Sequence, residues 1–174
     1  MATEKAVRFI KSHLADAIAA EKSFEAQLRG FASEASSDQI RMLFSQHADE
    51  TCTQYERLTH RLEELGGEPS AGKSLLAHLG GLAPKLAQIG HDTVDRVTQD
   101  LMIAYAVENC EVAMYESLIA VAETAGDEDT AQLVRAIQEE ERSTAEKVWK
   151  LVSPWAETAF KKLAGAGELT TSGR

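Results

Sequence analysis

Residues 97–122 read VTQDLMIAYAVENCEVAMYESLIAVA, and within them Val97, Leu101, Ala104, Glu108, Glu111, Tyr115, Leu118 and Ala122 recur three and four apart. That alternation places all eight side chains on one face of an α-helix. Two of the eight are carboxylates at mid-helix, in a face that is otherwise suited to burial. An ionised carboxylate in apolar surroundings costs roughly several kcal/mol, and neighbouring like charges raise the cost. The stretch therefore predicts a bundle helix whose interior has something to neutralise acids.

Working outward, three more segments carry the same alternation. The first, from about residue 3 to 34, is marked by Val7, Ile10, Leu14, Ala17, Glu21, Phe24, Leu28 and Phe31. Ser36, Ser37 and Asp38 offer capping residues for the second, marked by Ile40, Phe44, His47, Thr51, Leu58 and Leu62 and stopped at Gly66 and Gly67. The third is the opening stretch, extended to about 93–125. Gly126 and Asp127 then read as a helix stop and a new cap, followed by Val134, Ile137, Glu141, Thr144, Val148 and Leu151.

Between the pairs, residues 66–92 hold six glycines and two prolines around a short amphipathic stretch, Leu75 to Ile89. Short links within each pair and a long connection between pairs predict an all-α, ferritin-like four-helix bundle with one long crossover carrying a short helix. Pro154 is read as the start of a separate short C-terminal helix, about 154–165, before a frayed tail at 166–174. The whole, 1–174, is read as a single ferritin-like helical-bundle domain with its core at 3–152. Trp149 and Trp155 are read as packing residues.

The chain has 174 residues, 44% hydrophobic, with 18 Lys+Arg against 28 Asp+Glu and a formal net charge of -10. That sign disfavours nucleic acid and anionic membranes as partners. No apolar run reaches the roughly 20 residues that span a bilayer. Two cysteines, Cys52 and Cys110, without C-x-x-C spacing suit a reducing compartment, so a cytoplasmic location is expected.

Polar residues interrupt all four seams at matching depth: Glu21, His47 with Glu50, Glu108 with Glu111, and Glu141. Residues three apart share a helix face, so each pair would ligate together. One divalent cation, or two sharing carboxylates, would neutralise the cluster; the oxygen-rich set with one imidazole suits iron or manganese, with zinc and calcium as alternatives. In this reading Glu50 and Glu108 bridge or terminate the metals, Glu21 and Glu141 cap opposite sides, and His47 and Glu111 complete the set. Set beside it is ordinary solvated acidic faces on a non-enzymatic helical stress or scaffold protein, whose polar core is degenerate or metal-free.

A competing motif is present. Gly67-Glu68-Pro69-Ser70-Ala71-Gly72-Lys73-Ser74 matches G-x-x-x-x-G-K-[ST] in full. That phosphate loop requires a strand before it and a helix after it. Here a helical run precedes it and no β-patterned run occurs, so the match is read as coincidental.

At AEKSFEAQL (20–28), HADETCTQYERL (47–58), VENCEVAMYESL (107–118) and IQEEERSTAEKVW (137–149), the chain resembles the YciE/YciF-type ferritin-like stress proteins, over about residues 8–152. The resemblance implies a homodimeric four-helix bundle with a dinuclear metal centre, hence two ions per chain, iron by analogy with the wider rubrerythrin and ferritin group. Oxygen or peroxide chemistry under stress is implied in the same way. By that likeness Glu21, Glu50, Glu108 and Glu141 match the one carboxylate per helix of that group. Two departures stand out: the second helix reads His47-x-x-Glu50 rather than Glu-x-x-His, and Ser143 and Thr144 occupy the region where the fourth helix would carry a histidine. Apolar outer-face residues, exemplified by Phe9 and Ile119, accord with pairing of two chains.

Overall fold

A computed structural model describes residues 4–69 and 95–171, with side chains as far as 165. The described residues form four helices: α1 (Glu4–Glu34), α2 (Asp38–Glu64), α3 (Arg96–Ala125) and α4 (Glu128–Thr171). The short crossover helix, and all of the phosphate-loop match beyond Pro69, lie outside the described residues.

Two apolar clusters show how the helices run. One gathers Ile10, Leu14 and Ile18 with Leu58, Leu62, Tyr115, Leu118, Val134 and Ile137. The other gathers Phe24 and Leu28 with Ile40, Phe44, Leu101, Ala104 and Val148. The start of α1 thus meets the end of α2, the end of α3 and the start of α4. So α1 runs parallel to α4, α2 runs parallel to α3, and the end of α2 and the start of α3 lie at opposite ends of the bundle. Each helix packs on two neighbours: α1 on α2 and α3, α4 on α3 and α2. This is the one-crossover arrangement that the segment spacing predicts.

The breaks follow local chemistry. After α2, Gly66 takes φ +70° and the amides of Gly66 and Gly67 bond the carbonyls of Glu63 and Leu62 at 2.8 and 2.9 Å. After α3, Gly126 takes φ +74° and the Asp127 amide bonds Ala122 at 2.9 Å. Asp127 then caps α4, accepting from the Thr130 amide at 3.1 Å and the Thr130 hydroxyl at 2.7 Å. Ser37 occupies the N-cap of α2 but makes no side-chain cap bond. Arg41 holds that corner instead, donating to Asp38 at 2.5 Å and to the Ala35 carbonyl at 3.0 Å.

Gly67 has a packing reason of its own to be glycine. A Cβ there would lie 2.4 Å from Leu62 Cδ1 and 3.2 Å from the Leu62 carbonyl oxygen. Leu62 is buried and cannot yield freely. Gly67→Ala is therefore expected to destabilise the protein by about 1–3 kcal/mol in urea denaturation, as overpacking does; an unchanged midpoint would contradict the contact. The first glycine of the loop match is accounted for by this close approach at a helix end.

Arg61 ties the two hairpins together. Its guanidinium meets Asp127 at 2.6 Å and the Thr130 hydroxyl at 2.8 Å, with both charged side chains mostly buried. Burial alone would raise the Asp127 carboxyl, but the Thr130 hydroxyl and amide together with Arg61 hold it below its ordinary range. Removing the cation strands that carboxylate, so Arg61→Ala should cost about 2 kcal/mol. Equal stabilities of wild type and variant in urea denaturation would show that the pair contributes nothing.

Three expectations are corrected. The C-terminal piece is not a separate helix: α4 continues through Pro154 to Thr171. Proline removes one amide donor and crowds the preceding turn, but Leu151, Val152 and Trp155 pack on the second cluster and Ala159 is buried, so both sides stay in register. Trp149 is not core; it is exposed, its ring tilted against Tyr105 at 5.0 Å between centroids. Ile119 is not an outer-face residue but belongs to the first cluster. No described helix is long and apolar enough to cross a membrane.

Candidate metal centre

Between the two apolar clusters lies a polar layer. Glu21 sits between Ile18 and Phe24 on α1, His47 and Thr51 between Phe44 and Leu58 on α2, Glu108 and Glu111 between Ala104 and Tyr115 on α3, and Glu141 and Thr144 between Ile137 and Val148 on α4. All seven are buried. The same three-and-four periodicity that builds the apolar clusters carries these polar side chains to the axis, one helical turn from the flanking Leu, Ile and Phe residues.

Within the layer, His47 Nε2 contacts Glu108 Oε1, and Tyr115 donates its hydroxyl to Glu21 Oε1. Ligand atoms of His47, Glu108 and Glu141 all lie within 4.8 Å of one another. With the carboxylates ionised, and so acceptors only, the remaining donors have no partner. Glu21 Oε2, Glu108 Oε2 and both oxygens of Glu111 and of Glu141 are buried without a hydrogen-bond partner, as is His47 Nδ1. Buried polar atoms are almost always satisfied, so six orphaned carboxylate oxygens in one layer mark a place built for something that accepts lone pairs.

The electrostatics agree. Burial pushes the Glu108 carboxyl up to about 8 and the Glu141 carboxyl up to about 10, and a hydrogen bond between the two lowers the first and raises the second. Burial, then the charges of their neighbours, also raises Glu21 and Glu111 well above the ordinary range. Burial lowers His47, which stays neutral with a lone pair to offer. Tyr115, buried beside Glu21 and Glu111, is held as a phenol.

Five of the six candidates lie buried in this layer, Glu21, His47, Glu108, Glu111 and Glu141, and three of them, His47, Glu108 and Glu141, bring ligand atoms within 4.8 Å of one another. Glu50 does not. Its side chain is 53% exposed, with Oε2 3.9 Å from His47 Nδ1 on the side away from Glu108. The reason is phase: at about 100° per residue, position 50 lies some 90° from the mean direction of Ile40, Phe44, His47, Thr51 and Leu58. Two buried amides escaped the sequence reading, although Gln54, seven residues after His47, repeats its phase within about 20°. Gln54 Nε2 reaches Glu140 at 3.2 Å, and Gln138 Nε2 reaches the Val112 carbonyl at 2.9 Å. His13 bonds only the Phe9 carbonyl, at 3.1 Å, and Cys52 and Cys110 are free and half-buried.

The sequence pattern of a family described as a domain of unknown function, DUF892, matches residues 8–160. The chain belongs to the DUF892 family. Protein YciF of Escherichia coli K12 is 28% identical over 141 residues, covering 79% of this chain and 84% of YciF. The crystal structure of YciF, described as a stress protein, superposes on the DUF892 chain with a TM-score of 0.76 at 25% identity, covering 89% of this chain and 99% of that one. A protein of Xanthomonas campestris pv. campestris gives 0.75 at 24% identity over 92% and 99%. A Dps protein of Vibrio cholerae, described as a member of a broad superfamily of ferritin-like diiron-carboxylate proteins, gives 0.66 at 15% identity over 87% and 98%. The fold of this DUF892 chain is ferritin-like.

Proposed function

We propose that this DUF892 protein binds iron in the polar layer, two ions per chain, held by Glu21, His47, Glu108, Glu111 and Glu141. The observation that carries the reading is the set of six orphaned, buried carboxylate oxygens beside a neutral imidazole. Charge arithmetic favours two ions. Four buried carboxylates, Glu21, Glu108, Glu111 and Glu141, ionise to a charge of -4, which two divalent cations balance while His47 stays neutral. Hard oxygen donors with one imidazole suit iron or manganese, and zinc or calcium are the alternative occupants.

When bound, iron supplies electrons to oxygen or peroxide, and that is the chemistry we assign to the layer under stress. The chain's residues prepare for it. Tyr115 fixes the rotamer of Glu21 through Oε1 and leaves Oε2 free. Glu141 acts by its charge on Glu21 and Glu111 and by a side-chain hydrogen bond on Glu108. The carboxyls hold protons in the metal-free state, so cation uptake releases protons to solvent. The flanking apolar clusters exclude water from both ends of the layer. Support for the stress assignment comes from the description of YciF. A cytoplasmic homodimer belongs to the same reading, supported by the exposed Phe9, Trp149 and Phe160.

The deciding experiment is an anaerobic Fe(II) titration of metal-stripped protein, followed by admission of oxygen while near-ultraviolet absorbance is recorded. Saturation at two irons per chain and a rapid rise in absorbance are expected. Binding without oxidation would leave a structural metal site. No binding would leave the scaffold reading, in which Tyr115–Glu21 and His47–Glu108 are simply hydrogen bonds of a protonated core.

A further inference from the structure

We infer that the groove between α2 and α4 is where the polar layer opens to solvent and is the route by which a divalent cation reaches it, with Glu50 as the carboxylate that meets the ion at the mouth. The inference rests on the metal-binding reading above and gives Glu50 a part other than ligation in the layer.

A cation cannot cross packed hydrocarbon, so it cannot travel along the bundle axis, where an apolar cluster closes each end of the layer. It has to pass between helices. The groove between α2 and α4 has a volume of about 530 Å³ and is walled by polar side chains, among them Glu50, Arg57, Glu140, Ser143, Thr144 and Lys147. A cation carrying about six waters needs roughly 180 Å³, so it enters with its hydration intact. Thr144 is buried in the layer and also lines the groove, so the two spaces adjoin. His47 Nδ1 faces the same side, buried and without a partner, 3.9 Å from Glu50 Oε2. The charges of Glu50 and Lys147 are felt by both His47 and Glu108, which sets the groove floor beside the layer. Polar side chains also join the two helices here: Gln54 Nε2 donates to Glu140 at 3.2 Å, and Arg57 donates to it at 2.8 and 3.0 Å. The groove on the outer side of α3 and α4 differs, being lined by Tyr105, Val112, Ala145 and Trp149 and including no residue of the layer.

Charge selects the residues that act on a passing ion. The wall carries the carboxylates of Glu50, Glu139 and Glu140 against the cations of Arg57 and Lys147. Glu140 is held by Arg57, and Glu139 by Arg142 at 2.7 Å. Glu50 is half-exposed and, among the described residues, has His47 alone within ion-pair distance. It is the wall carboxylate free to meet an incoming cation, and Lys147 is the charge that opposes one. Removing the first slows entry and removing the second speeds it.

The test uses the full chain. Anaerobic Fe(II) uptake, stopped at timed intervals with a coloured chelator that takes only free iron, gives the rate of entry, and excess chelator gives the rate of release. Ser143→Trp, at an exposed position of the wall, should slow both by about 10-fold or more with stoichiometry and dissociation constant unchanged, because a blocked path raises the barrier equally in both directions. Asn109→Trp, in the α3–α4 groove, should change neither. Glu50→Gln should slow uptake and Lys147→Gln speed it, each by about 3–10-fold at low salt and less at high salt. Uptake indifferent to residues 50, 143 and 147 would overturn the route, as would loss of an iron equivalent in Glu50→Gln, which would make Glu50 a ligand. A second readout needs no metal. With Cys52→Ser and Cys110→Ser in place, the thiol introduced by Thr144→Cys should react with a cationic methanethiosulfonate, and adding Ser143→Trp should slow that reaction about 10-fold. An unreactive thiol would mean that the groove does not open on the layer. A wild type that takes up no Fe(II), with a thiol that reacts and is slowed by Ser143→Trp, would sink the metal reading alone.

Discussion

Replacing Glu108 by alanine is expected to abolish stoichiometric iron binding while leaving the helices intact. Glu108 is buried, its Oε1 contacts His47, and its ligand atom lies within 4.8 Å of those of His47 and Glu141. Truncation therefore removes one ligand and releases the imidazole from its partner. The four-carboxylate charge balance also falls to three, which no longer matches two divalent cations. Even an outer-shell substitution costs about 10–100-fold in affinity, so loss of a ligand should exceed about 100-fold. Anaerobic Fe(II) titration and the absorbance rise on oxygen admission measure it, with far-ultraviolet circular dichroism as the control for folding. Two irons bound at wild-type affinity would remove Glu108 from the site and with it the proposed centre.

The second large effect is one of pH on the metal-free protein. In the folded state the Glu141 carboxyl is raised from 4.5 to about 10, and its partner Glu108 from 4.5 to about 8, chiefly by burial. Below about pH 4.5 both folded and unfolded chains are protonated at these groups and no penalty arises. As the pH rises from 4.5 toward 8 and 10, the unfolded chain ionises while the folded one keeps its protons, so the unfolded state binds fewer protons and stability falls. Glu141→Gln keeps the volume but cannot ionise in either state. It should match wild type near pH 4.5 and exceed it by about 2 kcal/mol at pH 8 in metal-free denaturation, with the order reversed once iron stabilises only the wild type. Parallel stability curves for the two proteins across this window would mean that Glu141 is not the strained acid the layer describes.

Both predictions act on the same feature: a belt of acid placed where two apolar clusters would otherwise merge. The clusters supply the folding free energy and fix the helices at both ends of the belt. The belt weakens the metal-free protein at neutral pH, and on the proposed function it would give a cation a strong differential preference for the folded state. Stability and binding are thus coupled through the same side chains, and variants that strengthen the apo fold should be those that lose metal.

The described helices and their breaks were readable from residue order alone. Gly66, Gly126 and Asp127 act through φ angles and local hydrogen bonds, and the seams act through the 3.6-residue period, neither of which needs a distant partner. For the same reason Glu21, His47, Glu108, Glu111 and Glu141 could be picked out as polar residues on buried faces. Other facts depended on how the helices face one another. Glu50 and Glu111 each lie three residues beyond a buried candidate ligand, yet Glu111 is buried and Glu50 opens to the α2–α4 groove. Periodicity gives a direction only relative to a helix's own axis; the rotation of that helix against its neighbours decides which of two side chains about 60° apart enters the layer. Tyr115 is one more seam residue in the sequence, and its hydrogen-bond partner, Glu21, is supplied by α1. Pro154 signalled a helix boundary, and the packing of Leu151, Val152 and Trp155 on both sides of it kept α4 continuous. Local backbone chemistry wrote the helices and their polar interruptions into the sequence; contacts between residues far apart in the chain decided which interruptions share one site.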